Sequence, residues 1–145
     1  MVHEACTVTG GCACGAVRWR HQGEPIRHLV CHCRTCQRAA SSGFSAFFGS
    51  HDGAFSVTGP VQDYASSPGA SRAYCGECGT RLWFRSERWP GEVHLLVGTL
   101  DDPKAYRPDT HVCLSEQAPW LTLADDIAGR DGFSQIGPKE SARDG

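Results

Sequence analysis

The chain has 145 residues, 14 Lys+Arg against 16 Asp+Glu, a formal charge of −2 and nine cysteines. That length suits one domain with its own core, and a near-neutral charge balance argues against a general nucleic-acid binder. No apolar run approaches the roughly 20 residues that span a bilayer, and Met1–Cys6 has neither the basic start nor the apolar stretch of a signal peptide. The expected location is therefore the cytoplasm, where an odd number of cysteines fits a disulfide framework poorly.

In chain order, Gly10-Gly11 reads as a turn, and Cys12-Ala13-Cys14-Gly15 follows it at once. Ala16–Arg20 alternates apolar and polar residues, as a half-buried strand does. Cys31-His32-Cys33-Arg34-Thr35-Cys36 sets three thiols in six residues, and a short helix is predicted from Arg34 to Ala40. Gly43-Phe44-Ser45-Ala46-Phe47-Phe48 reads as a strand with alternate core phenylalanines, two of which could instead wall a pocket. Phe55–Thr58 is rich in strand formers and stops at the breaker Gly59-Pro60. Ser67-Pro68-Gly69 marks a turn before Ser71–Tyr74, a weakly alternating strand that runs into Cys75-Gly76-Glu77-Cys78-Gly79. Leu82–Phe84 and Val93–Val97 are further strands, separated by Pro90-Gly91 and followed by the turn Asp101-Asp102-Pro103. Trp83, Trp89 and Trp120 are expected to pack in the core, and Cys6 and Cys113 stand alone. Short strands between turns predict a mainly β fold with little helix. The domain is expected over residues 5–125 and a flexible tail over 130–145, although Phe133 and Ile136 could dock on the domain.

The cysteine spacing points to metal. Cys12-x-Cys14 and Cys75-x-x-Cys78 are each a thiol pair on a tight turn followed by Gly. Gly lets the backbone curl until its N–H groups face the sulfurs. Two such knuckles supply the closed four-thiolate shell of a structural zinc, clipping the start of the domain to its middle. A redox Cys-x-x-Cys with two unrelated thiols is the alternative. The trio Cys31, Cys33 and Cys36 has no obvious fourth partner, and three protein ligands with one open position describe a catalytic zinc. Cys113 or Cys6 closing that shell, or a metal-free redox relay, are the competing readings. His32 lies between two of these ligands and is expected to point away from the metal. Three thiolates leave Zn²⁺ electron-rich, poorly suited to activating water and better suited to holding a second thiol as thiolate below its free pKa of about 8.5.

These residues resemble the glutathione-dependent formaldehyde-activating enzyme family, which includes centromere protein V. The resemblance rests on Gly11–Val17, Cys31–Arg38 and Tyr74–Gly79, with further matches at Gly43–Phe48, Gly98–Asp101, His111 and Ala118-Pro119-Trp120. It implies a zinc-bound, tent-like β fold of packed antiparallel sheets. It also implies two zinc ions per chain, one structural on Cys12, Cys14, Cys75 and Cys78 and one catalytic on Cys31, Cys33 and Cys36. The implied activity is addition of glutathione or a related thiol to a small aldehyde such as formaldehyde, a carbon–sulfur lyase reaction on small-molecule partners only. A substrate with two carboxylates calls for guanidinium groups. Arg34 and Arg38, one helical turn apart beside the trio, are the candidates, with Arg72 near the later knuckle. His111 could reach the open metal position or shuttle a proton, or be a hydrogen-bonded structural histidine. A function of another class stays open: a non-catalytic, zinc-stabilised β module that binds a partner protein through its surface.

Overall fold

The structure, a computed structural model, describes residues 6–133. Its elements are β1 (Thr7–Gly11), β2 (Arg18–Gln22), β3 (Arg27–Cys31), α1 (Arg34–Ala40), β4 (Ser45–His51), β5 (Phe55–Thr58), β6 (Val61–Ser67), β7 (Ala70–Cys75), β8 (Arg81–Ser86), β9 (Glu92–Leu96) and β10 (Thr110–Val112), with three single-turn 3₁₀ segments after β9. The strands form a three-stranded sheet, β1-β2-β5, and a seven-stranded sheet, β10-β3-β4-β9-β8-β7-β6. The molecule is mainly β, as its short strand-forming runs predict. Pairing is antiparallel throughout except between β10 and β3, which run parallel, Thr110 opposite Leu29 and Val112 opposite Cys31.

The main core lies between the two sheets. Val8, Val17 and Trp19 meet Phe48, Ala73, Leu82, Trp83, Val93 and Leu95 there. Successive strand side chains point to opposite faces, except at the irregularity in β8 where Leu82 and Trp83 both face this core. Phe47 and Phe84 accordingly join Leu29, Cys31, Cys36, Val112 and Cys113 in a second cluster on the far face of the large sheet. Arg72 and His94, buried neighbours of Ala73 and Leu95, share that face. One sheet thus serves two purposes, a dry core on one side and the chemistry-bearing wall on the other.

Three expectations need correction. Gly10-Gly11 is not a turn but the end of β1. A Cβ on Gly10 would sit 2.3 Å from both the Thr99 carbonyl and the Trp19 ring, so the glycine is there for close approach. Trp120 is 72% exposed rather than in the core. It lies over Gly43, whose Cβ would meet the indole at 2.6 Å. Trp83 and Trp89, at 8% exposure each, are buried as expected. The third concerns residues 130–133 of the expected tail, whose residues 134–145 lie outside the described residues. Gly129 bridges to His111, Arg130 N–H donates to the His111 carbonyl at 2.9 Å, and Cys113 N–H donates to Gly132 at 2.8 Å. Residues 130–133 are therefore tied to β10, and Phe133 packs on the second cluster. Ile136 lies outside the described residues.

Candidate metal centres and the cavity beside them

The first thiol group joins the two sheets. Cys12 and Cys14 follow β1 of the small sheet, while Cys75 ends β7 of the large one and Cys78 lies in the turn after it. The four sulfurs lie within 4.8 Å of one another. The separations of 3.5 Å from Cys12 to Cys14 and 3.9 Å from Cys14 to Cys75 bracket the ~3.8 Å edge of a tetrahedron with Zn–S bonds of about 2.3 Å. The turns curl as such a site requires. Gly15 and Gly79 adopt φ of 83° and 80°. Val17 N–H donates to Cys12 Sγ at 3.2 Å, and Glu77 and Cys78 N–H to Cys75 Sγ at 3.3 and 3.5 Å. Amide donors of this kind stabilise sulfur as thiolate. The hydrogen bond from Val17 lowers the Cys12 pKa, and the Thr80 hydroxyl, then its backbone, lowers that of Cys78 to about 5. The donor set fits zinc.

The second group is built where β3 runs into α1. Cys31 is the last residue of β3, Cys33 caps the helix by accepting the Cys36 N–H at 3.3 Å, and Cys36 sits in the first turn. The three sulfurs lie within 4.8 Å of one another, with Cys31 and Cys36 buried. Cys113, at the end of β10, brings a fourth thiol beside Cys31 and Cys33, but the four sulfurs do not all fall within that distance. Thiol donors from Cys113, Cys31 and Cys36 hold Cys33 well below the ordinary thiol range, while Cys31 is pushed up by Cys113 and then Cys33, and Cys36 by Cys31 and then Cys33. Three converging thiols, one readily deprotonated, suit a metal that keeps a position open.

Behind the trio runs a buried imidazole chain. His32 Nε2 lies 2.9 Å from His111 Nδ1, and His111 Nε2 lies 3.1 Å from Asp125. A carboxylate only accepts, so His111 donates from Nε2 and its Nδ1 receives the Nε2–H of His32. His32 Nδ1 is left buried without a hydrogen-bond partner among the described residues. Burial lowers the His32 pKa, with His111 adding to the effect.

In front of the trio opens a cavity of about 550 Å³. Cys31, Cys33 and Thr35 form part of its wall, facing Arg72 and the rings of Phe84 and Trp89. Arg72 Nη2 lies 3.9 Å from Cys36 Sγ, and its guanidinium stacks on Phe84 at 4.6 Å from the ring centre. Of the residues the sequence marks for substrate, Arg34, Arg38 and His111 are not in the cavity wall. Arg34 and Arg38 are exposed on α1, the Arg34 side chain bonded to Gln37 and its amide to Glu116. Helical spacing brings them onto one face but not toward the thiols. Asp125 and Cys113 carry no local motif, since both are placed only by the return of the late chain onto β3. His94, also in the wall, reads in the sequence only as one more strand residue.

Fold and site together define a mainly β protein with two thiol clusters of metal-ligand spacing, one closed across the sheets and one opening on a cavity. The chain belongs to the glutathione-dependent formaldehyde-activating enzyme family, whose sequence profile matches residues 7–116. It is 39% identical over 116 residues to an uncharacterized lyase of Schizosaccharomyces pombe, covering 80% of this chain and 85% of that one. A Halomonas elongata protein provisionally named for the same enzyme is 30% identical over 125 residues, 79% of each chain. Among solved structures, a Rhodobacter sphaeroides protein shares the fold with a TM-score of 0.57 at 17% identity, over 84% of this chain and 99% of that one.

Proposed function

We propose that this protein is a zinc-dependent carbon–sulfur lyase that joins a thiol, glutathione or a relative, to a small aldehyde such as formaldehyde. The observation that carries the reading is the second thiol group. Three sulfurs converge within 4.8 Å, and two of their residues line a cavity large enough for a tripeptide-sized ligand. Cys12, Cys14, Cys75 and Cys78 would hold one zinc for structure, and Cys31, Cys33 and Cys36 a second for chemistry. That second zinc, when bound, supplies a Lewis acid with one open position for lowering a thiol's pKa.

The residues of the chain divide the remaining work. Cys33, held low by the thiols around it, favours the deprotonated form that a metal ligand needs. Arg72 sets a positive group beside Cys36, offsetting thiolate charge in a poorly solvated corner. Phe84 and Trp89 keep water from the reacting atoms. In the reaction itself, the thiol sulfur bonds to the carbonyl carbon and the carbonyl π pair moves to oxygen. The proton lost by sulfur ends on that oxygen, giving an S-hydroxyalkyl adduct with no net change in protons or electrons. Family membership and the lyase name of the yeast relative support this class of reaction.

Adduct formation from formaldehyde and glutathione, measured against the uncatalysed background, tests the reading. Zinc-loaded wild type is expected to exceed that background at least tenfold, and Cys33→Ala to return to it. Equal rates with and without the protein, across several thiols, would sink the proposal. A second reading, the non-catalytic β module, draws on Cys113 lying beside Cys31 and Cys33. It requires four sulfurs on the metal. Cobalt substitution separates the two, because a fourth thiolate strengthens the sulfur-to-cobalt absorption, which Cys113→Ala would then weaken.

A further inference from the structure

The cavity has a charge pattern that bears on which thiol it accepts. Its aromatic wall, Phe47, Phe84, Trp89 and Phe133, holds one deeply buried cation, Arg72, at 5% exposure. Arg72 is set there by strand alternation, since Ala73 faces the main core. The guanidinium has five N–H donors. Its Nη2 makes a weak, 3.9 Å contact to Cys36 Sγ, and Nε has no hydrogen-bond partner among the described residues. No carboxylate pairs with Arg72 among those residues, whereas Arg27, also largely buried, is held in a fork by Glu92 at 3.0 and 3.1 Å. The other charges of the wall are Arg88, half-buried and stacked 4.2 Å from the Phe133 ring centre, and Glu87, exposed at the rim. A buried guanidinium with donors left over beyond its contact with Cys36 suits an anionic group entering the cavity.

We infer that Arg72 is the specificity-determining residue of this cavity and that the thiol it accepts carries a carboxylate a few bonds from its sulfur. The inference rests on the proposed thiol-accepting role of the trio. Because Arg72 is in contact with Cys36, a carboxylate on its guanidinium leaves the attached sulfur within reach of the trio. Only one such cation lies deep in the wall, so one carboxylate is read closely. A second, as in glutathione, lies toward the mouth, near Arg88.

The test is binding, which does not depend on turnover. Zinc-loaded protein is titrated calorimetrically with 3-mercaptopropionate and with its neutral amide. The acid is expected to bind at least tenfold more tightly than the amide, as a charge-assisted fork gives. Arg72→Met is expected to abolish the difference while keeping two zinc per chain, and Arg72→Lys to restore part of it. Equal affinities for acid and amide in wild type overturn the inference, with or without a foldable variant. So does a preference that survives Arg72→Met, or binding of neither thiol. Selective binding of the acid without aldehyde addition above background leaves Arg72 in its role and removes the proposed reaction instead.

Discussion

Gly10 shows how one missing methyl group lets a strand pass close under a ring and beside a backbone carbonyl. It lies under the Trp19 ring and against the Thr99 carbonyl, whose own side chain accepts the Trp19 indole N–H at 3.1 Å. Gly10→Ala is expected to lower stability by about 1–3 kcal/mol, as overpacking does, and thermal denaturation of the zinc-loaded protein would read it. His21 is a second residue with a definite consequence. It is fully buried, donates Nε2–H to the Gly23 carbonyl at 2.8 Å and accepts from the Ser50 hydroxyl at 2.6 Å. Burial lowers its pKa in the folded protein. The unfolded chain then takes up a proton near the ordinary value of about 6.5 while the folded one does not. Stability is whole above that pH and declines as pH falls below it. His94, lowered by burial against the opposing pull of Glu92, acts in the same direction. The melting temperature should fall from pH 7.5 to pH 5.5, less steeply in His21→Gln. An identical slope in wild type and variant would contradict this account.

At the level of elements, legibility followed locality. The helix from Arg34 to Ala40 and the strand from Phe55 to Thr58 stand where their local patterns place them. The knuckle and trio cysteines likewise converge as their spacing predicts. What escaped was set by distant chain. β6 is mostly exposed and polar, so its membership of the sheet depends on β7 rather than on its own pattern. β10 is three residues long, and nothing within it announces a parallel partner some eighty residues earlier. The cavity inherits that limit. Arg34 and Arg38 looked closest to the trio along the chain, but Arg72 and Phe133 reach its cavity from strand β7 and from beyond β10. Phe133→Ala is therefore expected to raise the KM for the thiol severalfold while leaving zinc content unchanged. Steady-state kinetics beside elemental analysis would show it, and an unchanged KM would argue that the ring is not part of the working wall.

For the molecule as a whole, the first thiol group is a clip between layers. β1 and β7 belong to different sheets, and the cysteines that follow or end them meet in one cluster. Structural zinc contributes on the order of 10–16 kcal/mol in small peptides, more than the whole stability of many domains. Stripping the metal with a strong chelator is expected to unfold the chain cooperatively or to lower its melting temperature by more than about ten degrees. Cys14→Ala should mimic this, whereas Cys36→Ala should affect the melting temperature far less. Circular dichroism melts of the three samples would decide it.

The parallel strand at the edge of the large sheet also gives the site a history. Both knuckles and all three trio cysteines precede residue 80, whereas β10, Cys113 and the stretch 129–133 emerge later during synthesis. Along the chain, the residues of the clip that joins the layers are therefore complete before those that close the cavity beside the trio. The cavity acquires its final wall only when the late segment docks.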